Sequence, residues 1–131
     1  NKVIFTRDTH FSDYLQRNEG KHLPIIHCTF RSKGWEIPGD IDIKEFNHID
    51  KVTFGCMEWK SYNDINNLDE IEIVGVCTDI CVISNALILK AQFPAAKITV
   101  DASCCAGTSV ENHKKAIDIM RNCQIDIIGE D

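Results

Sequence analysis

What most constrains this chain is its second half, where short apolar runs alternate with longer helical segments. "IEIVGV" (71–76), "KITVD" (97–101) and "QIDII" (124–128) are dense in Val and Ile rather than alternating with polar residues. That is the pattern of strands covered on both faces of a parallel sheet. Between them, residues 80–93 are apolar nearly all round, and residues 109–122 carry Val110, Ile117 and Met120 at helical spacing. Parallel strands joined by helices form right-handed βαβ units. The expected fold class is therefore α/β, three layers with helices on both faces of a parallel sheet. "KVIFT" (2–6) and "PIIHC" (24–28) are expected as further strands, and residues 29–70 as loop-rich, with Gly34, Pro38, Gly39 and Gly55. Thr108 and Glu111 fit a capping box opening the second helix.

A chain of 131 residues suits a single domain spanning 1–131. Its formal charge of −6, with no Lys/Arg cluster, argues against nucleic acid and against a polybasic membrane patch. No apolar run reaches the roughly 18 residues that span a bilayer, and "NKVIFTRD" lacks the pattern of a signal peptide. Seven cysteines, an odd number, fall mostly inside or beside apolar segments and form no C-x-x-C pair. They read as several buried thiols in a reducing cytosol rather than as a disulfide framework or a zinc knuckle.

Chemistry-bearing residues form three clusters. Cys81 follows "IEIVGV" after the polar turn "CTD", at the C-terminal end of a parallel strand, where such folds place ligands. With Thr78 or Asp79 capping the next helix, Cys81 lies in its first turn, where the helix dipole and backbone N–H groups favour a thiolate. In the second cluster, Asp8 and His10 follow the first strand and His27 closes the next apolar run, with Asp13, Glu19 and His22 between. Residues two apart on a strand project to the same side. Two imidazoles with carboxylates suit zinc, manganese or iron. The third cluster is Lys51 in "DKVTFG"; a lysine held beside a thiolate stabilises the charged nucleophile.

In the order they occur, these motifs resemble one family. "GVCTDICV" resembles the G-x-x-T-D-x-C-V signature of isochorismatase-like cysteine hydrolases, the superfamily of the nicotinamidases. "TRDTH" and "IHC" resemble its metal-binding segments, "DKVTFG" its catalytic-lysine segment, and "TVDASCCAGTSVENHKKAIDIM" the strand and helix after the nucleophile. The resemblance covers essentially the whole chain. It implies that Cys81 is the nucleophile, Lys51 the catalytic lysine, and Asp8, His10 and His27 metal ligands, with Glu19 preferred to His22 as a fourth. It implies zinc as the divalent metal, with manganese or iron as alternatives. It also implies a non-proline cis peptide at Val76–Cys77 and an oxyanion hole formed by the Cys77 and Cys81 N–H groups.

Two departures from the family accompany this match. The third catalytic residue of the family is an aspartate in a D-x-Q-x-D-F-like stretch ending the first strand, and no such stretch occurs here. With a family strand order of 3-2-1-4-5-6, the expectation is an N-terminally truncated chain lacking one central strand. Nicotinamidases also carry an aromatic residue and Pro just before the metal-binding His-Cys pair. "HLPIIHC" offers Leu23 and one extra residue, leaving Phe11, Phe54 or Trp59 to supply a ring to the substrate pocket.

The implied activity is hydrolysis of a small amide to an acid and ammonia, with nicotinamide the first candidate and other small amides or carbamoyl compounds next. Isochorismate hydrolysis fits less well, because those members generally lack the cysteine. Outside this class stand a catalytically silent binding module and a redox sensor pairing Cys81 with Cys77 or using Cys104–Cys105. The expected partner is a small molecule in the cytoplasm, with neither nucleic acid nor membrane; a homo-oligomer is left open.

Overall fold

The computed structural model describes residues 2–41, 47–61 and 67–130, so parts of the loop-rich 29–70 region lie outside the described residues. The chain divides into two compact units, Asn1–Thr53 and Phe54–Asp131.

In the first unit, β1 (Ile4–Asp8) pairs in parallel with β2 (Asn47–Lys51), which sets Asp8 opposite Lys51. Strand β2 escapes a hydrophobicity reading because "NHIDK" has one apolar residue. Ile49 alone supplies the buried apolar side chain, while the exposed Asp50 accepts two bonds from the Arg7 guanidinium at 2.7 and 3.1 Å. Conversely, "PIIHC" is not a strand. Its backbone bonds turn inward: Ile25 N–H donates to Leu23 O at 2.8 Å, and Cys28 takes a positive φ of 46°. Ile25 and Ile26 are exposed, and just beyond the segment an isolated parallel bridge joins Thr29 to His10. A 3₁₀ turn at Tyr14–Gln16, a short helix α1 (Asn18–His22) and a second 3₁₀ turn at Lys33–Trp35 complete the described part of this unit.

The second unit is a parallel sheet in the order β3 (Glu70–Val76), β4 (Lys97–Ala106), β5 (Asp126–Ile128). Helices α2 (Ile83–Gln92) and α3 (Val110–Asn122) make the two crossovers. The core forms on β4, whose Ile98, Val100 and Ala102 are buried with Val82, Ala86 and Leu89 around α2 and Ala116, Ile117 and Met120 of α3. Full burial of a side chain such as Leu89 or Met120 contributes about 1.5–3 kcal/mol.

Three boundaries differ from expectation. Strand β4 runs to Ala106 because, beyond an irregularity at Ile73–Gly75, Cys105 and Ala106 still pair with Gly75 and Val76. Gly75 sits at that shift with φ +129°, a conformation that side-chain-bearing residues rarely adopt. Strand β5 starts late because α3 ends through Gln124 at φ 66°, with Ile125 N–H returning to Met120 O. The cap of α3 is Ser109, whose hydroxyl accepts from Asn112 N–H at 3.0 Å, and not Thr108. Among the described residues no helix is long and apolar enough to cross a membrane.

Candidate active site and metal cluster

Within the first unit, the ends of β1 and β2 converge on Asp8. Its Oδ1 forms an ion pair with the buried Lys51 ammonium, which also donates to Thr53 O at 3.3 Å. Its Oδ2 lies 4.0 Å from His10 Nε2. His10 is buried because residues 28–30 fold over it: His10 N–H donates to Cys28 O at 3.0 Å and Phe30 N–H to His10 O at 2.8 Å. The same fold carries in His27, whose ring meets that of His10 edge-on at 4.7 Å between centroids. Tyr14 packs against both rings and donates its hydroxyl to Leu23 O at 2.8 Å.

One ligand atom each from Asp8, His10 and His27 lies within 4.8 Å of the others. This donor set fits a divalent ion. Burial, then the neighbouring His27, holds the His10 pKa below its ordinary value, favouring the neutral imidazole that ligates metal. His27 Nδ1 lies 2.6 Å from Ile25 O, an outer contact of the kind that fixes the tautomer of a metal-binding histidine. Burial raises the Cys28 thiol, which therefore stays protonated beside this cluster. Glu19 on α1 is near enough to oppose the lowering at His10, yet it is outside the converging set. His22 is exposed, with Nδ1 2.9 Å from Asn18 O.

Of the pocket candidates, Phe11 is exposed and touches Phe30 at 5.4 Å, and Leu23 is half-buried. Trp35, which the sequence did not single out, stacks under the Arg7 guanidinium at 3.5 Å and donates to Thr9 Oγ1 at 2.9 Å.

In the second unit, β3 ends at a cis Val76–Cys77 peptide, as the resemblance implies. The chain then winds through a π-helical turn, Thr78–Val82, before α2. Cys81 is half-buried in that turn, as is Cys77 at its start. Neither Thr78 nor Asp79 caps the turn by its side chain; both are directed toward α3 and the segment before it. Thr78 is fully buried with Oγ1 2.8 Å from His113 Nδ1. Asp79 accepts from Thr108 N–H at 2.8 Å and from the Thr108 hydroxyl. Burial alone would raise the Asp79 pKa, but the Thr108 bonds outweigh it and hold the carboxylate below its ordinary value. Gly107 permits this approach, since a Cβ there would sit 2.9 Å from Asp79 Oδ1. Phe54 is half-buried, whereas Trp59 is part of the buried core. Sequence reasoning missed Asn85 and His113 and read Thr108 as a helix cap; the one available signal was a lone amide inside the apolar "ISNALILK".

This architecture matches a known family. The isochorismatase domain model aligns with residues 1–131. The chain belongs to the isochorismatase family. Solved structures similar to this isochorismatase-family chain include a nicotinamidase from Bacillus subtilis, with a TM-score of 0.80 at 20% identity over 98% of this chain and 75% of that one. A pyrazinamidase/nicotinamidase from Streptococcus mutans gives a TM-score of 0.79 at 24% identity, covering 98% and 76%. A pyrazinamidase from Pyrococcus horikoshii, solved in complex with zinc, gives 0.77 at 20% identity, covering 98% and 75%. At these identities the likeness establishes the isochorismatase-like α/β fold. No curated protein matches the sequence.

Proposed function

We propose that this isochorismatase-family protein is a metal-containing cysteine amidohydrolase, a single 1–131 domain that converts a small amide to its acid and ammonia in the cytoplasm. The observation that carries the reading is Cys81 in a turn at the C-terminal end of parallel strand β3, within "GVCTDICV". Nicotinamide is the leading substrate, supported by the nicotinamidase and pyrazinamidase neighbours.

In this reading the Cys81 thiolate attacks the amide carbonyl carbon. The new oxyanion is taken by the backbone N–H groups of Cys77 and Cys81. The C–N bond then breaks, and the proton given up on forming the thiolate leaves with the nitrogen as ammonia. Water hydrolyses the thioester and restores the thiol. Lys51 is the catalytic lysine. Asp8, His10 and His27 hold the divalent ion, for which the zinc-bound pyrazinamidase supports zinc, with Glu19 as an additional ligand. When bound, such an ion supplies a Lewis-acid centre that positions substrate or water.

The test is ammonia release from nicotinamide and a panel of small amides. Cys81→Ala should abolish turnover, since no thioester can form. Cys104→Ala, at an exposed position on β4, should leave it unchanged. Turnover surviving in Cys81→Ala would refute the mechanism.

A further inference from the structure

The buried amide of Asn85 has no place in a helix that needs only apolar packing. Asn85 is 6% exposed beside Ala86 and Leu89. An amide buried there costs free energy unless its polar atoms find partners. They do. Nδ2 donates to Cys81 O at 2.8 Å and to Phe54 O at 3.0 Å, while Oδ1 accepts from Cys56 N–H at 2.9 Å. One side chain therefore joins α2, the backbone of residues 54–56 and the carbonyl of Cys81 itself.

The point of attachment matters. Val82 N–H bonds back to Cys77 O at 3.1 Å and Ile83 N–H to Thr78 O, each five residues away, before α2 takes over the chain. Cys81 sits where the wider turn narrows, and the Asn85 amide fixes its carbonyl at that junction. A donor bonded to that oxygen also offsets the partial negative charge it presents to the sulfur of the same residue, which favours the thiolate.

We infer that Asn85 is the positioning residue for Cys81, setting the aim and ionisation of its sulfur while locking residues 54–56 to the same point. The inference rests on the proposed reading of Cys81 as nucleophile.

A neighbouring bond supplies the test. Ser84 Oγ donates to Ile80 O at 2.6 Å, four residues back. A serine at position 85 can reach Cys81 O in the same way, while an alanine cannot. The two residues are close in size, so loss of packing does not separate them. The full chain and its Asn85→Ala and Asn85→Ser variants are treated with iodoacetamide across a pH series, and modification is read at each cysteine by peptide mass spectrometry. Exposed Cys104 serves as the internal control.

At neutral pH, Asn85→Ala should slow modification of Cys81 about tenfold, the scale of one lost hydrogen bond, and move its pH profile upward. Asn85→Ser should recover most of the rate, with Cys104 unchanged throughout. If circular dichroism shows Asn85→Ala unfolded, Asn85→Asp replaces it: the shape and the acceptor for Cys56 remain, the donor to Cys81 is lost, and the same slowing is expected. Equal rates in all variants, or equal slowing in Ala and Ser, would overturn the inference. Because alkylation needs no amide substrate, failure to hydrolyse any amide would refute the hydrolase reading without touching this result.

Discussion

Replacing Lys51 by Met tests the link between the ion pair and the metal cluster. The Lys51 side chain is 3% exposed and that of Asp8 16%. Methionine keeps the aliphatic stem packed but leaves the Asp8 carboxylate without its ammonium partner. Removing one member of a buried pair costs about 3–5 kcal/mol, and the partial exposure of Asp8 selects the lower end. A loss of about 3 kcal/mol corresponds to roughly a hundredfold faster hydrogen exchange for the β1 and β2 amides in metal-free buffer. Bound as proposed, zinc would place a new cation on the same carboxylate and, at a hundredfold excess over its Kd, would return about 2.7 kcal/mol. In the parent protein zinc so bound would compete with the ammonium for Asp8, and its protective effect should be smaller. The expected result is therefore two-part: Lys51→Met exchanges much faster without metal, and zinc slows its exchange more than it slows the parent's. Identical exchange of the two metal-free proteins would refute the reasoning, because Asp8 would then not depend on Lys51 for charge compensation.

The geometry makes two other substitutions informative. His10→Ala removes the most buried of the three converging groups, so metal analysis after dialysis should find the bound divalent ion lost, while unchanged occupancy would return the cluster to a structural role. Thr108→Val deletes the hydroxyl bond to Asp79 and should cost about 1 kcal/mol at neutral pH. The folded Asp79 pKa lies below its unfolded value, so this contribution is complete above the ordinary carboxylate range and is lost as pH falls through the folded value. Acid unfolding curves of parent and variant should converge at low pH; a gap independent of pH would rule the carboxylate out.

How much of the fold and site was legible in the sequence depends on where each element's stability comes from. Strands β3, β4 and β5 are readable as runs rich in Val and Ile. The expectation of strands covered on both faces holds for β4 alone: Ile98, Val100 and Ala102 are buried, whereas Val74 and Val76 of β3 and Ile128 of β5 are exposed. Strand β2 is not readable in this way, since its ladder with β1 and the Arg7–Asp50 pair hold a polar segment. "PIIHC" misleads for the opposite reason: apolar residues, exposed, whose backbone bonds serve to aim His27. Asp8 and His10 were readable together from residue type and the end of β1, whereas His27 was grouped with them through a strand that does not form and reaches them by the turn of residues 25–28 instead. The Lys51–Asp8 pair was not readable, because it depends on register across a strand that the sequence hid. The anchors of the Cys81 turn come from contacts between distant segments, which no local pattern encodes.

Those anchors constrain how this protein can change over generations. The turn from Thr78 to Val82 is stitched to His113, 35 positions away, and to Thr108, 29 away, while Asn85 ties Cys81 O to Phe54 O, 31 positions before it. Substitutions within such a set do not add: removing a second partner of a bond already lost costs little, and restoring one partner alone gains little. A lineage drifting at position 108 or 113 therefore narrows, pair by pair, the residues it can later accept at 79 or 78. The route to a new specificity around Cys81 runs through coordinated changes in separate stretches of the gene rather than through the signature itself.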